Sequence, residues 1–211
     1  MFQAVLKDKP VYILGNSGHA WVVIDSMSVK PVGYLSMGVA EQNPYSLKYM
    51  GIETDTDLPV WSEDCQFVAG IGNNRVRRLA ANAVRANGGV MTTVIDASAR
   101  VSSSATISGG SYIGIGARIN AFARIGEDCI INTNAIVEHE CEVGDGSHIA
   151  PAAVLLGAVR VGAGTMIGAN SVVKEGVRIG SDVQIGAGSV VLENVPDGET
   201  WVGNPARKLN K

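Results

Sequence analysis

Several marks of common protein classes are missing from this sequence. Aromatic residues make up only 5% of it. No basic run is longer than Arg77–Arg78, and the formal net charge is −3, so nucleic-acid binding driven by phosphate neutralisation is excluded. The apolar runs are too short to span a bilayer. The first ten residues, MFQAVLKDKP, carry charges where a signal peptide needs an apolar stretch, and a cytoplasmic protein is expected. Three cysteines, Cys65, Cys129 and Cys141, form no C-x-x-C pair and read as free thiols. Glycine is abundant instead, with 26 residues, and hydrophobic residues reach 46% of 211. Tight turns and small aliphatic layers suit that mix better than a helical bundle does.

From Ile95 an aliphatic residue recurs every sixth position: Ile95, Val101, Ile107, Ile113 and onward to Ile185 and Val191, seventeen hexads without a break. Four residues after each sits a small or β-branched residue, such as Ala117, Ala123, Cys129, Ala135 and Cys141. In a strand these two positions point the same way, so both face inward, and the two cysteines serve as small core residues. One hexad is a short strand plus a turn. Three close a triangular coil, and coils stack about 4.8 Å apart. A period of six fits no helix. Residues 95–196 are therefore read as a parallel β-solenoid, and 197–211, where PDGETWVGNPARKLNK breaks the repeat, as a tail covering the last coil.

Residues 1–94 have a different grammar. VYILG and PVGYLSM read as strands, NSGHAWVVIDSMS as a helix with Asn16 or Ser17 as N-cap, EQNPYSLKYMGIETDTDLP as a loop, and CQFVAGIGNN as a further strand. NRVRRLAANAVRAN is an amphipathic helix with Val76, Leu79, Ala80, Ala83 and Val84 on one face. Strand–helix–strand alternation implies a small Rossmann-like parallel α/β domain. The loop GNSGH (Gly15–His19) joins strand to helix, where backbone amides bind anions. It lacks the G-x-G-x-x-G spacing and the acid expected about 20 residues later. A dinucleotide is disfavoured, and a mononucleotide or nucleotide-sugar site stays open. His19 either meets a phosphate or sugar hydroxyl there or merely packs.

The remaining two histidines lie in AIVEHECEVGDGSHIAP (135–151). Half a coil separates them, so they occupy different sides of the triangle. His148 precedes inward Ile149 and points outward, whereas His139 sits near a turn between Ala121 and Gly157 of the adjoining coils. Two histidines do not make a zinc site, which needs three or four ligands, and no metal is expected. Either His139 is an idle surface residue, or it is a general base helped by Glu140 or Glu138.

YILGNSGHAWVVID, GIGNN, NTNAIVEHECEVGDGSHIAPAAVLLGAVRVG and VGNPARKL together resemble the PglD/NeuD family of bacterial sugar acetyltransferases, over both domains and in the family's order. The resemblance implies a left-handed β-helix and a homotrimer with active sites between subunits. It implies acetyl-CoA as co-substrate and a nucleotide-linked amino sugar as acceptor, such as UDP-2-acetamido-4-amino-2,4,6-trideoxyhexose, in surface-glycan or glycoprotein biosynthesis. It makes His139 the general base and Glu140 the residue that raises its basicity. His148, Ala169 and Ala187 would contact acetyl-CoA, and Ser17, Gly18, His19, Ser36, Gly72 and Asn132 would line the substrate site. Members often carry an Asp pair at the end of the second strand, beside the base. Here Ser36–Met37 stands there, leaving uracil, thymine and guanine open. A sialic-acid-type O-acetyltransferase and a non-catalytic scaffold are the alternative functions.

Overall fold

The computed structural model describes residues 8–210. Most of the MFQAVLKDKP segment, and the last residue of the tail, lie outside the described residues. The chain begins with β1 (Val11–Leu14), α1 (Gly18–Asp25), β2 (Gly33–Leu35), β3 (Lys48–Tyr49), β4 (Gln66–Ala69), α2 (Asn74–Ala86) and β5 (Val90–Met91). The strands form one parallel sheet in the order β3-β2-β1-β4-β5. β1 turns Val11 and Ile13 toward Ala20, Val23 and Ile24 of α1. Leu14 and Phe67 face the other layer, with Ala80, Ala81 and Val84 of α2. Two expectations need correction. β3 lies inside the segment read as a loop; it is a two-residue edge strand, too short to register as a pattern among turn residues. The buried face of α2 is Arg77, Ala80, Ala81 and Val84, whereas Val76 and Leu79 are exposed. The helix is rotated because Arg77, not an aliphatic residue, occupies the buried position.

Seventeen two-residue strands follow, six residues apart, from β6 (Val94–Ile95) to β22 (Val190–Val191). From β6 to the Val172–Val173 strand each pairs in parallel with the strand eighteen residues on, as in Ile119↔Val137 and Ile131↔Ile149, so three hexads make one coil. The aliphatic series fills the interior together with Ala117, Ala123, Cys129, Ala135 and Cys141, all fully buried. From Ile107 to Ile185 the turn past each inward aliphatic takes a left-handed residue three positions on. Gly116 and Gly146 supply it, but so do Phe122, Asp128, Asn134 and Glu140, with φ from 54° to 59°.

The outward residues give the three faces different chemistry. The first face presents Val94, Tyr112, Ile130, His148, Met166 and Gln184 in one stacked column. The second presents half-buried Ile136, Val154, Val172 and Val190. The third presents Arg124, Glu142 and Arg160, which form ion pairs up the stack. Beyond β22, β23 (Thr200–Gly203) pairs with the Gln184–Ile185 strand and β24 (Ala206–Lys208) folds back antiparallel on it, bringing Trp201 and Ala206 into the core.

The α/β domain sits on the first face. Val94, Tyr112 and Ile130 pack into the α1-side core, and Ser26 shares a 3.0 Å hydrogen bond with the Tyr112 hydroxyl. Arg77 fastens the two parts. It is completely buried and donates to the carbonyls of Asp128, Gly146 and Ser147 on the solenoid and of Ile71 and Gly72 on its own domain, at 2.8–3.4 Å. Its Nη2 also donates to Asn74 Oδ1, while the Asn74 amide donates to Gly164 and Thr165 carbonyls. Arg85 holds Asp128 with two hydrogen bonds of 2.7 and 2.9 Å. A buried cation satisfied by neutral carbonyls depends on the guanidinium fork. Arg77→Lys is therefore expected to lower stability by roughly 2–4 kcal/mol, read as a fall in the urea midpoint; an unchanged midpoint would remove this clasp from the account.

Candidate active site

Two clefts open around the junction. The first, about 710 Å³, lies at the carboxyl ends of β1, β2 and β4 and is lined by Gly15–Gly18, Ser36–Gln42, Glu53 and Gly70–Asn73. Gly15 takes φ +85° to turn the chain out of β1. Asn16 is buried and fixes the turn, its Oδ1 accepting from Trp21 Nε1 at 3.0 Å and its amide donating to Asn43. Ser17 is the N-cap of α1, but its side chain makes no capping hydrogen bond, leaving the hydroxyl and the first-turn amides free for a ligand. No acid occupies that first turn. Ser17, Gly18, Ser36 and Gly72 thus line one cavity.

His19 lies below that rim. Its Nε2 is buried without a hydrogen-bond partner, and its ring stands 6.3 Å from that of His148 and edge-on to Tyr112 at 5.7 Å. Burial, then the positive charge of Arg77, lowers its pKa to about 4. His148 does point out of the solenoid, but the α/β domain covers it and leaves it only 8% exposed, which strand alternation alone does not anticipate. Burial, with Arg77 and His19, lowers its pKa to about 3, the Gly72 carbonyl opposing only weakly. Asn132 fixes its tautomer. The Asn132 Oδ1 accepts from Thr133 N at 2.8 Å, so the amide nitrogen donates to His148 Nε2 at 3.0 Å. The proton of the neutral ring is then on Nδ1, a buried atom.

The second cleft, about 630 Å³, begins where that covered column ends. It is lined by Gly72–Arg75, Arg78, Leu79, Gly164, Met166, Asp182 and Gln184, and Met166 is the register neighbour of His148. Arg78 lies against Gly146, where a side chain would collide with it, and its guanidinium comes close to Gly164. Ala169 and Ala187 stack one coil apart on the corner between the first and second faces, below Asn132 in the same corner. They line neither cleft of this chain.

His139 and Glu140 are elsewhere, on the corner between the second and third faces. Both are exposed. The left-handed turn at Glu140, φ 59°, lets two consecutive side chains meet, and His139 Nδ1 lies 3.1 Å from Glu140 Oε2. With Nδ1–H donating to the carboxylate, Nε2 presents its lone pair. The ring lies over Gly157 of the next coil; a Cβ there would fall 2.5 Å from Cε1 and 2.7 Å from Nε2. Among the described residues no three His, Cys, Asp or Glu side chains form a metal-binding group, and no helix is long and apolar enough to cross a membrane. Arg77, Asn74 and Glu53 were not picked out by the sequence reading. Arg77 had a signal, being the one charge that interrupts the buried side of α2.

Comparison with known proteins sharpens this geometry. Residues 10–84 match the PglD N-terminal domain, and 122–157 and 158–193 match the bacterial transferase hexapeptide, six repeats. PerB from Caulobacter crescentus, solved in complex with CoA and GDP-perosamine, is 33% identical with a TM-score of 0.88, over 98% of this chain and 100% of that one. The chain belongs to the PglD-type hexapeptide-repeat acetyltransferases. It is an acetyltransferase, and its solenoid is a left-handed β-helix. The acetyltransferase domain of PglB from Neisseria gonorrhoeae FA1090 is 29% identical with a TM-score of 0.88, covering 95% of this chain and all of that one. That domain has also been solved in complex with acetyl coenzyme A. Comparison with curated protein sequences finds no match.

The two buried histidines give this acetyltransferase an acid sensitivity. Each binds its proton near pH 6.5 when unfolded but only near pH 4 (His19) or pH 3 (His148) when folded. The folded state therefore carries fewer protons in that window, and stability present above pH 6.5 drains away as pH falls toward 4. The melting temperature is expected to drop over this range in the wild type and to drop less steeply in His19→Gln and His148→Gln. Parallel pH profiles for all three proteins would contradict the assignment.

Proposed function

We propose that the protein moves the acetyl group of acetyl-CoA onto the 4-amino group of a nucleotide-linked aminodeoxy sugar, as a cytoplasmic homotrimer, with His139 as general base. The observation that carries this is the His139–Glu140 pair: an imidazole with Nδ1 engaged at 3.1 Å by a carboxylate and Nε2 directed over a glycine-cleared surface. Such a base fits a nitrogen that must lose a proton as it forms a bond to carbon. The relative solved with CoA and GDP-perosamine supports the reactant classes.

One chain does not assemble the site, since His139 occupies the vertex opposite the first face, where His148 and both clefts lie. The second face supplies the reason to associate. Its column Ile136, Val154, Val172 and Val190 is half-buried aliphatic surface, and Phe122, Leu156 and Leu192 stand exposed along the corner that holds His139. Unpaired apolar surface of this kind marks a contact. Three subunits packed through their second faces put the His139 corner of one against the first–second corner of the next, with Asn132, Ala169 and Ala187. In that assembly the two histidines, of neighbouring chains, flank one groove.

Acetyl-CoA would supply an activated acetyl thioester in that groove. Arg75 and Arg78, which line the second cleft, suit its phosphates. Ser17 and the first-turn amides of α1 would hold the diphosphate of the sugar nucleotide, with Gly72 close by. The amine nitrogen would attack the thioester carbonyl beside His139 of the neighbouring subunit, whose Nε2 takes the amine proton while Glu140 holds the ring; the C–S bond breaks, and CoA leaves as the thiolate that takes up a proton.

His139→Ala should lower turnover by about 10²–10⁴-fold in CoA-release assays on 4-amino nucleotide sugars, with the trimer intact; unchanged turnover sinks the base. Release with sugars bearing a hydroxyl at that carbon, and none with amines, would favour the O-acetyl reading. Gly157→Ala is a gentler test. Its methyl displaces only the end of the His139 ring, so stability should change little while turnover moves toward that of His139→Ala. Full activity in that variant would show that the ring's seat over Gly157 is not the working one.

A further inference from the structure

Glu53 is the unexplained group in the first cleft. It sits four residues past β3 in a segment read only as a loop, and it is 4% exposed. It lines the same cavity as Ser17 and Ser36, yet its Oε2 is buried without a hydrogen-bond partner. No ion pair holds it among the described residues, and no Lys or Arg lines that cleft. An uncompensated buried carboxylate is costly unless something donates to it.

We propose that Glu53 reads the base of the nucleotide and selects guanine. The inference rests on the nucleotide-sugar reading above. The sheet order places β3 two strands from β1, roughly 10 Å from the anion-binding turn at the usual strand spacing. The chain just after β3 follows the end of β2, with Ser36 N donating to Gly51 O at 3.1 Å. A diphosphate held at α1 therefore directs its ribose past β2 and its base toward Glu53. A carboxylate at the phosphate end would repel the ligand, whereas at the base end it can accept from it. The face of the base has a floor as well. Met37 and Val39 are 71% and 73% exposed and line the same cleft, apolar surface suited to a flat ring.

The chemistry of the edge then decides among bases. Guanine presents two adjacent donors, N1–H and the 2-amino group, and a carboxylate accepts both in a bidentate pair. Uracil and thymine offer one N–H flanked by two carbonyl oxygens, which face a carboxylate as like charges. Adenine and cytosine offer a donor beside an acceptor. The broad, two-fold terminal torsion of Glu lets both oxygens turn to the ring. Ser36–Met37 at the end of β2 is thus no vacancy in base recognition, because the acid comes from the chain that follows the neighbouring strand.

Calorimetric titration of the wild-type protein with GDP, IDP and UDP, without acetyl-CoA, tests this. GDP should bind roughly ten- to a hundredfold more tightly than UDP, and IDP, which lacks the 2-amino group, should fall between. Glu53→Gln should erase the GDP preference without weakening UDP. UDP binding as tightly as GDP in the wild type, or no nucleotide binding, overturns the proposal. So does an equal loss of all three ligands in Glu53→Gln, which would make Glu53 a ribose holder or a structural residue. The two readings fail separately. A GDP-selective protein that transfers no acetyl group would sink the acetyl-transfer function and keep this inference, and an active enzyme that prefers a UDP-sugar would do the reverse.

Discussion

Each coil closes in eighteen residues and is hydrogen-bonded through its backbone to the next, as in Arg118 N to Ala135 O and Ile136 N to Ala153 O. Every other property of this molecule follows from that ladder. Residues eighteen apart are stacked, so a column of side chains acts as one surface. The first face can be apolar where the α/β domain covers it, at Val94, Tyr112 and Ile130, and change character one coil later at His148. The second face can offer aliphatic contact and the third can stay charged. A single glycine at 157 sets the clearance for a ring at 139 because the stack allows them no other relation.

The α/β domain then does two things to this regular rod. It covers the first face with an interface held by Arg77 and Asn74, whose partners are backbone carbonyls. By doing so it removes His148 and His19 from water and keeps them neutral. The clasp and the site are therefore one structure. The carbonyls that Arg77 holds at Ile71 and Gly72 belong to the loop between the two clefts, and those at Gly146 and Ser147 precede His148.

The solenoid was legible in the sequence because its inward positions obey one rule, and the structure adds only the third dimension. Three things were less legible, each for a physical reason. β3 is an edge strand of two residues, Lys48 and Tyr49, with nothing to alternate. The face of α2 was read as aliphatic because hydrophobic periodicity ranks an arginine as outward, whereas Arg77 found six acceptors inside. The outward direction of His148 was legible, but its burial was not; the apolar outward residues Tyr112 and Ile130, eighteen apart and preceding it, are the trace of the covering domain. Glu53 lies in irregular chain, and only its burial without a partner makes it visible. The motif around His139 located a dyad, and its half-coil spacing from His148 already set the two on different sides of the prism.

The central claim is that one active site takes His139 from one subunit and His148 from its neighbour. Mixed trimers test it most directly. His139→Ala and His148→Gln chains, each of low activity alone, would be co-expressed at equal levels and assayed by CoA release. Sites shared between neighbours restore both histidines in some interfaces of the mixture, so activity should return to roughly a quarter of the wild-type value by random assembly about the three-fold axis. Activity no higher than that of the separate variants would contradict the shared site and return both histidines to a single chain.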